Sequence, residues 1–452
     1  MRRGLTILCL LSAAFLAIRL IFAFVEPSYS FVDDLTYASA AIHMALGEKY
    51  AAVAQNACNY EHPPLAKLLT ALSFDTFGKT QVIGANVGVG VNQLGGRFFQ
   101  IVMASLMAPL TYLIVNRVSK NREMALLAGI FVLVDPLLFT LSLTAGIDVA
   151  MVFFGELALV PYVYRTKIGR LNSQIITGFI LGLSLLSKET AVFIVFAIVT
   201  YDLLQGSGDM KARLASSGQI LVGAAVVFVL GLQAYDSLLT PFLTFVDHLQ
   251  VMISYHFGAG PSQLAYLANG SNCLQYSGLC PTDRSLIPHF LYAGLPLGFI
   301  QNTACTACWA ATNPLDWLTY FPPVAFPTAL VLAPNYPLVW MAFVWVPIGM
   351  LALVRRRIND AVKPTILASS ILLWDLASNL WLYEGVGRAV FEWYLLPAVP
   401  AFAMGGAYLL TRNWMPRPIR YAAAASVIVV GLLLSPAAYH LIYPAPQYCS
   451  SC

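Results

Sequence analysis

The run LTILCLLSAAFLAIRLIFAFV, Leu5 to Val25, decides what class of protein this is. It follows Met1-Arg2-Arg3-Gly4, so it has the basic start and apolar run of a secretory leader. Its length argues otherwise: a leader's apolar region is about 7–15 residues, whereas crossing a bilayer takes about twenty. No clear small-residue cleavage site follows it. The run therefore reads as a retained first membrane span.

The composition extends that reading to the whole chain. Of 452 residues, 59% are apolar and only 10% charged, against about 25% charged in a soluble domain. The net charge of +4 is too mild to point to a nucleic-acid partner. Eleven apolar segments are candidate spans: 5–25, 97–117, 123–141, 146–163, 173–187, 189–205, 214–235, 336–354, 363–383, 390–411 and 419–440. The chain is thus expected to be a single all-α polytopic membrane domain over 1–452. With the N-terminus in the cytoplasm, alternation puts 17 lysines and arginines on the cytoplasmic side and 7 on the outer side, with Arg19 inside the first span. That is the sense of the positive-inside rule. Two long outer loops follow, 26–96 and 236–335, together with an outer tail, 443–452. Leu35–Leu46 is helical in pattern, and Phe290–Ile300 reads as a re-entrant or interfacial element. No internal repeat supports a transporter.

The first outer loop carries Glu61-His62-Pro63-Pro64-Leu65-Ala66-Lys67. Each proline fixes its own φ and biases the residue before it away from helix. Pro64 suits the first position of a helix that continues through Leu69, where a missing N–H costs nothing. Glu61, His62 and Lys67 then stand near a helix start, which favours anions. The same residues also fit an ordinary loop-to-helix junction with solvated charges. Further ionisable groups fall at the same membrane edge: Asp33-Asp34, Arg97, Asp148, Lys188-Glu189, Arg388 and Glu392. Ionisable groups at membrane depth are costly and tend to be functional.

These motifs, in this order, resemble the protein O-mannosyltransferases and their prokaryotic relatives within the GT-C class of membrane glycosyltransferases. The acidic pair Asp33-Asp34 resembles the family's Asp-Glu motif, and HPPLAKLL, His62 to Leu69, is close to its most diagnostic string. Gly178 to Leu204, Asn313 to Trp317 and Gly387 to Phe402 resemble further family segments. Asp34 stands where the family usually has glutamate, and no arginine precedes Asp148. The large loop is too short for the β-trefoil domain of the eukaryotic enzymes. Together these departures point to an archaeal type.

The resemblance implies a GT-C-like fold with about 11 transmembrane helices. It implies inverting transfer of a sugar, mannose or another hexose, from a polyprenyl-phosphate carrier to a protein hydroxyl, on the outer face of an archaeal plasma membrane. Asp33 takes the role of general base, with Asp34 orienting it. Lys67 and Arg97 face the phosphate, with Arg388 as a third cation. Glu61 and His62 orient the base or bind sugar hydroxyls; Asp148 and Glu392 complete the substrate-binding set, Asp148 also reading as part of a scaffold with Lys188 and Glu189. Two other functions fit the class: aminoarabinose-type transfer to a lipid, and an inactive scaffold subunit of a membrane complex. No organic cofactor is implied, although an acidic pair on an outer loop also suits a divalent cation. Partners are the donor, a protein or lipid acceptor, membrane lipids, and other copies or subunits in an oligomer or complex.

Seven of the eight cysteines fall outside: Cys58, Cys273, Cys280, Cys305, Cys308, Cys449 and Cys452. An oxidising compartment favours disulfides. Cys273 with Cys280 closes a short loop, while the two CxxC pairs each bridge internally or pair with one another; their spacing also matches a zinc site. Asn269-Gly270-Ser271 is the one glycosylation sequon.

The charge pattern predicts that loops 26–96 and 236–335 share the non-cytoplasmic side. Single cysteines introduced in either loop, with the native outer cysteines removed, should react with a membrane-impermeant thiol reagent added to intact cells. Protection of either loop until the cells are lysed would reverse the topology.

Overall fold

The computed structural model describes residues 2–25, 32–45, 61–77, 93–205, 209–239, 244–258, 334–355, 359–386 and 392–435, with positions 314, 316–318, 324–325 and 331–332 of the large loop. Hydrocarbon offers a backbone no hydrogen-bond partner, so apolar segments of this length close their bonds internally as helices. All eleven candidate spans contain helix. In chain order the helices are α1 (Arg2–Val25), α2 (Val32–Ala45), α3 (Leu65–Phe77), α4 (Gln93–Ser119), α5 (Arg122–Leu133), α6 (Pro136–Ser142), α7 (Asp148–Val163), α8 (Arg165–Ile168), α9 (Arg170–Ser187), α10 (Val192–Gln205), α11 (Met210–Leu239) and α12 (Phe245–Gly258). After the large loop come α13 (Tyr336–Val354), α14 (Lys363–Leu380), α15 (Val399–Thr411) and α16 (Arg417–Leu433). The described part of the large loop adds a two-residue antiparallel ladder pairing Val324 with Leu332.

The expected count of eleven spans is not reproduced by helix length and composition. Six described helices are long and apolar enough to cross a membrane, and the α5–α6 pair, bent by 50°, makes a seventh. The shortfall has local causes. Proline interrupts or shortens helices, and Asp135-Pro136 splits one span into α5 and α6. Asp135 repairs the break, its Oδ1 accepting the Leu138 N–H at 3.0 Å. Lys188 and a 3-10 turn, Glu189–Ala191, take the residues that would have begun α10. The large loop also starts later than 236, because α11 continues to Leu239. Phe290–Ile300 lies outside the described residues.

Helix α4 packs against α1, α3, α5 and α7, and α9 packs between α7 and α11. Within a membrane the gain comes from close packing, which small residues allow. Gly178 and Gly182, four apart on α9, face Ile220–Val227 of α11. A Cβ on Gly182 would stand 2.4 Å from Val227 Cβ and 2.9 Å from the Ala224 carbonyl. On the other side of the bundle, Gly405 of α15 lies under the fully buried Trp345 of α13, where a Cβ would come within 2.2 Å of the indole. Arg19, inside the first span, is also fully buried; it donates to Ser105 Oγ at 3.0 Å and lies 5.0 Å over the Phe139 ring. At the end of the bundle rich in basic residues, Asp360 accepts from Lys120 and from Lys363 (2.7 Å). Those two hydrogen bonds hold its carboxyl at about 2.

Gly182→Val should push α9 from α11 and cost about 1–3 kcal/mol, seen as a lower thermal midpoint of the detergent-solubilised protein. Gly218→Ala, on the same α11 but with open space around it, should leave that midpoint unchanged or slightly raised.

Candidate functional site

The polar groups meet where helices start or break. Asp33 and Asp34 lie in the first turn of α2, where the backbone is described and the side chains are not. Tyr37, one turn further along α2, is buried and meets the His62 ring edge-on at 5.8 Å. The start of α2 therefore stands beside the His62-Pro63-Pro64 entry to α3. That helix starts at Leu65, one residue later than expected, with Pro64 placed as its cap: the Pro64 carbonyl accepts the Leu68 N–H at 2.8 Å. Lys67, 2% exposed, folds back to donate to the His62 carbonyl at 2.7 Å. Glu61 is half-buried at the preceding turn.

The second half of the site comes from the α9–α10 break. Lys188 is extended, φ −156° and ψ 136°, and extended backbone sends successive side chains to opposite sides. Glu189 turns toward the first loop, with its two oxygens 3.1 and 3.0 Å from His62 Nδ1. Lys188 turns the other way, with Nζ 2.6 Å from Asp148 Oδ1 and 4.4 Å from the centre of the Tyr394 ring. Asp148 is the first residue of α7, where a helix start favours a carboxylate. The pair is almost fully buried, and Asp148 neutralises Lys188 directly. His62, Lys67, Asp148, Lys188, Glu189 and Tyr394 thus form one connected group.

Arg97 is fully buried in the second turn of α4. Close approach of α3 to α4 is possible there because position 95 is glycine; a Cβ would lie 2.7 Å from Phe74. Glu392 opens a 3-10 helix, Glu392–Ala398, with its side chain outside the described residues. Arg388, Asn269 and the seven cysteines other than Cys9 lie outside them too. Among the described residues, which do not include the side chains of Asp33 and Asp34, no three His, Cys, Asp or Glu side chains converge to hold a metal ion.

Two cavities flank the α9–α10 break. A small one, about 20 Å³, has largely apolar walls into which Asp148, Lys188, Asp375, Asn379 and Tyr394 bring the polar groups. A larger one, about 420 Å³, is walled by apolar side chains of α10, α11 and α12 with Trp381, and it reaches Glu189 and Thr190. Tyr37 and Asp375 were not singled out from the sequence, whereas Tyr394 falls in Gly387–Phe402, one of the segments that resemble the family. Asp375 carried a signal, since a carboxylate within Leu372-Leu373-Trp374-Asp375-Leu376 is a costly residue for a membrane helix. Tyr37 carried none; aromatic residues are common throughout the chain.

Residues 47–247 match the family model described as dolichyl-phosphate-mannose-protein mannosyltransferase. No curated protein matches by sequence. Among solved structures, the chain is similar to the S. cerevisiae protein O-mannosyltransferase Pmt1-Pmt2 complex bound to the sugar donor. The TM-score is 0.64 at 13% identity, over 98% of this chain and 90% of that one. It is also similar to the Archaeoglobus fulgidus oligosaccharyltransferase in complex with Zn and sulfate. There the TM-score is 0.53 at 16% identity, over 96% of this chain and 52% of that one. This chain spans about half the length of the archaeal protein.

Removing one partner of a buried ion pair leaves an uncompensated charge, which costs about 3–5 kcal/mol. Lys188→Met alone should therefore lower the thermal midpoint markedly. Adding Asp148→Asn should recover most of the loss. A double variant no more stable than Lys188→Met would show that the two side chains are not coupled.

Proposed function

We propose, for a chain that has the GT-C membrane fold and resembles the protein O-mannosyltransferases, that it moves a hexose, with mannose the first candidate, from a polyprenyl-phosphate carrier to a protein hydroxyl on the outer face of the membrane. The observation that carries this reading is the junction at Glu189 and Thr190. There an apolar cavity of about 420 Å³ meets a connected group of buried ionisable side chains. A polyprenyl-phosphate sugar is long and apolar at one end, anionic in the middle and hydroxylated at the other. The match of residues 47–247 to the mannosyltransferase family model supports the same donor class.

In this reading loops 26–96 and 236–335 lie outside, and the first carries the chemistry. The acceptor O–H gives its proton to the Asp33 carboxylate as its oxygen bonds to the anomeric carbon. The carbon–oxygen bond to phosphate breaks on the opposite face, so configuration inverts and the carrier leaves as a phosphate. Asp34, adjacent on α2, orients the base. Growing negative charge on the leaving phosphate needs fixed cations in place before the reaction. Lys67 and Arg97 serve there, with Arg388 as a third. Lys67 suits that role because one of its N–H bonds goes to the His62 carbonyl, which fixes the direction of the ammonium group. Through Glu189, His62 ties this first-loop segment to the mouth of the apolar cavity.

Asp33→Asn keeps the shape and removes the basic oxygen. Turnover should fall by about 10²-fold or more while donor affinity survives. Arg97→Ala and Lys67→Ala should weaken donor binding as well as turnover, because each removes a charge that already faces phosphate in the ground state. Donor affinity and single-turnover transfer, measured side by side, separate the two classes. Normal turnover by Asp33→Asn would pass the role of base to Asp34 or Glu61.

A further inference from the structure

Asp375 carries a buried side-chain oxygen that nothing in the bundle pairs with. It sits on α14 within the bundle, 5% exposed, and its Oδ2 has no hydrogen-bond partner. The backbone around it is satisfied: its carbonyl accepts from Ser378 Oγ at 2.7 Å and Asn379 Nδ2 at 2.9 Å. The carboxylate borders the small cavity beside Lys188. A buried carboxyl oxygen left without a partner is costly, so a ligand that offers it a hydrogen bond gains more here than in water.

The cavity limits what that ligand is. About 20 Å³ holds one water-sized group, which is a single hydroxyl and not a sugar ring. A cation is disfavoured, because the Lys188 ammonium lines the same space and a hard cation needs about six oxygen ligands. The donor is therefore neutral. The small cavity and the apolar cavity share Thr190 and Phe193 in their walls. A molecule whose tail fills the large space is thus positioned to put its polar end toward the small one.

We propose that the Asp375 cavity reads one hydroxyl of the donor's sugar, with Asp375 Oδ2 accepting its hydrogen bond, which makes Asp375 a specificity-determining residue. This rests on the polyprenyl-phosphate sugar reading above. A site built to hydrogen-bond a hydroxyl rejects the analogue that lacks it, because the buried acceptor is then left unpaired.

The test uses the full chain in membranes with polyprenyl-phosphate mannose and glucose, and four monodeoxy analogues of whichever hexose is transferred faster. Wild type should lose on the order of 10²-fold or more in kcat/KM on one of the four analogues. Asp375→Leu should lose the parent hexose to a similar extent while holding its rate on that analogue, so that the ratio between them falls to about one. Asp375→Asn, which keeps an acceptor oxygen and the side-chain shape, should give an intermediate ratio. If Asp375 only supports the fold, both variants will slow all donors together with the wild-type ratio preserved, and the inference is overturned. A wild type that transfers the hexose without distinguishing any monodeoxy analogue overturns the inference and leaves the sugar-transfer reading standing. A wild type that transfers neither hexose overturns both.

Discussion

A peptide group that leaves its helix inside hydrocarbon has no water to turn to, and the bundle is arranged around that constraint. Continuous helix satisfies it over most of the chain. Among the described residues the exceptions are few, and polar side chains gather at them. At the α5–α6 break Asp135 accepts from the backbone. Before the α7 start Thr144 accepts from the Gly146 N–H. At the α9–α10 break the chain is extended for one residue and then takes a 3-10 turn. Breaks and helix starts thus bring ionisable groups from separate segments together, and the candidate site is assembled at the starts of α2, α3 and α7 and at the α9–α10 break.

The arrangement also gives the site stiffness. Lys67 is tied to the His62 carbonyl, His62 to Glu189, and the neighbouring Lys188 to Asp148. These bonds link the first loop to α7 and to the α9–α10 turn, segments distant in sequence. Buried networks of this kind fix geometry well when every member is satisfied. Asp375 Oδ2 departs from that rule among the side chains bordering the small cavity, and departures of this sort tend to mark places where something else binds.

Much of the fold was legible because membrane burial leaves a coarse signal. Each of the eleven candidate spans contains helix. The signal fails where polarity interrupts a run: length alone does not show whether Asp135-Pro136 ends a span or bends one, and the answer depends on the Asp135 cap. The site was legible in part. His62, Lys67 and Asp148 stood out as ionisable groups in apolar surroundings, and the resemblance ordered them. Their pairing did not stand out, because the ion pair of Lys188 with Asp148 spans 40 residues and the hydrogen bond of His62 with Glu189 spans 127. Periodicity within one helix says nothing about such pairs. The direction in which Lys188 and Glu189 point depends on one extended residue, which no composition rule foresees.

The contact between Gly405 and Trp345 bears on how this sequence can change over generations. Any residue larger than glycine at 405 collides with the indole, since even a Cβ would lie 2.2 Å away. Replacing the tryptophan first leaves a void in the bundle, costly in itself at about 3–5 kcal/mol for truncation to alanine, but one that a later side chain at 405 can fill. The order of the two changes is therefore not free: position 345 must shrink before position 405 grows. Lineages descending from this chain are expected to carry a smaller residue at 345 wherever 405 is no longer glycine, whereas 345 can change by itself over Gly405.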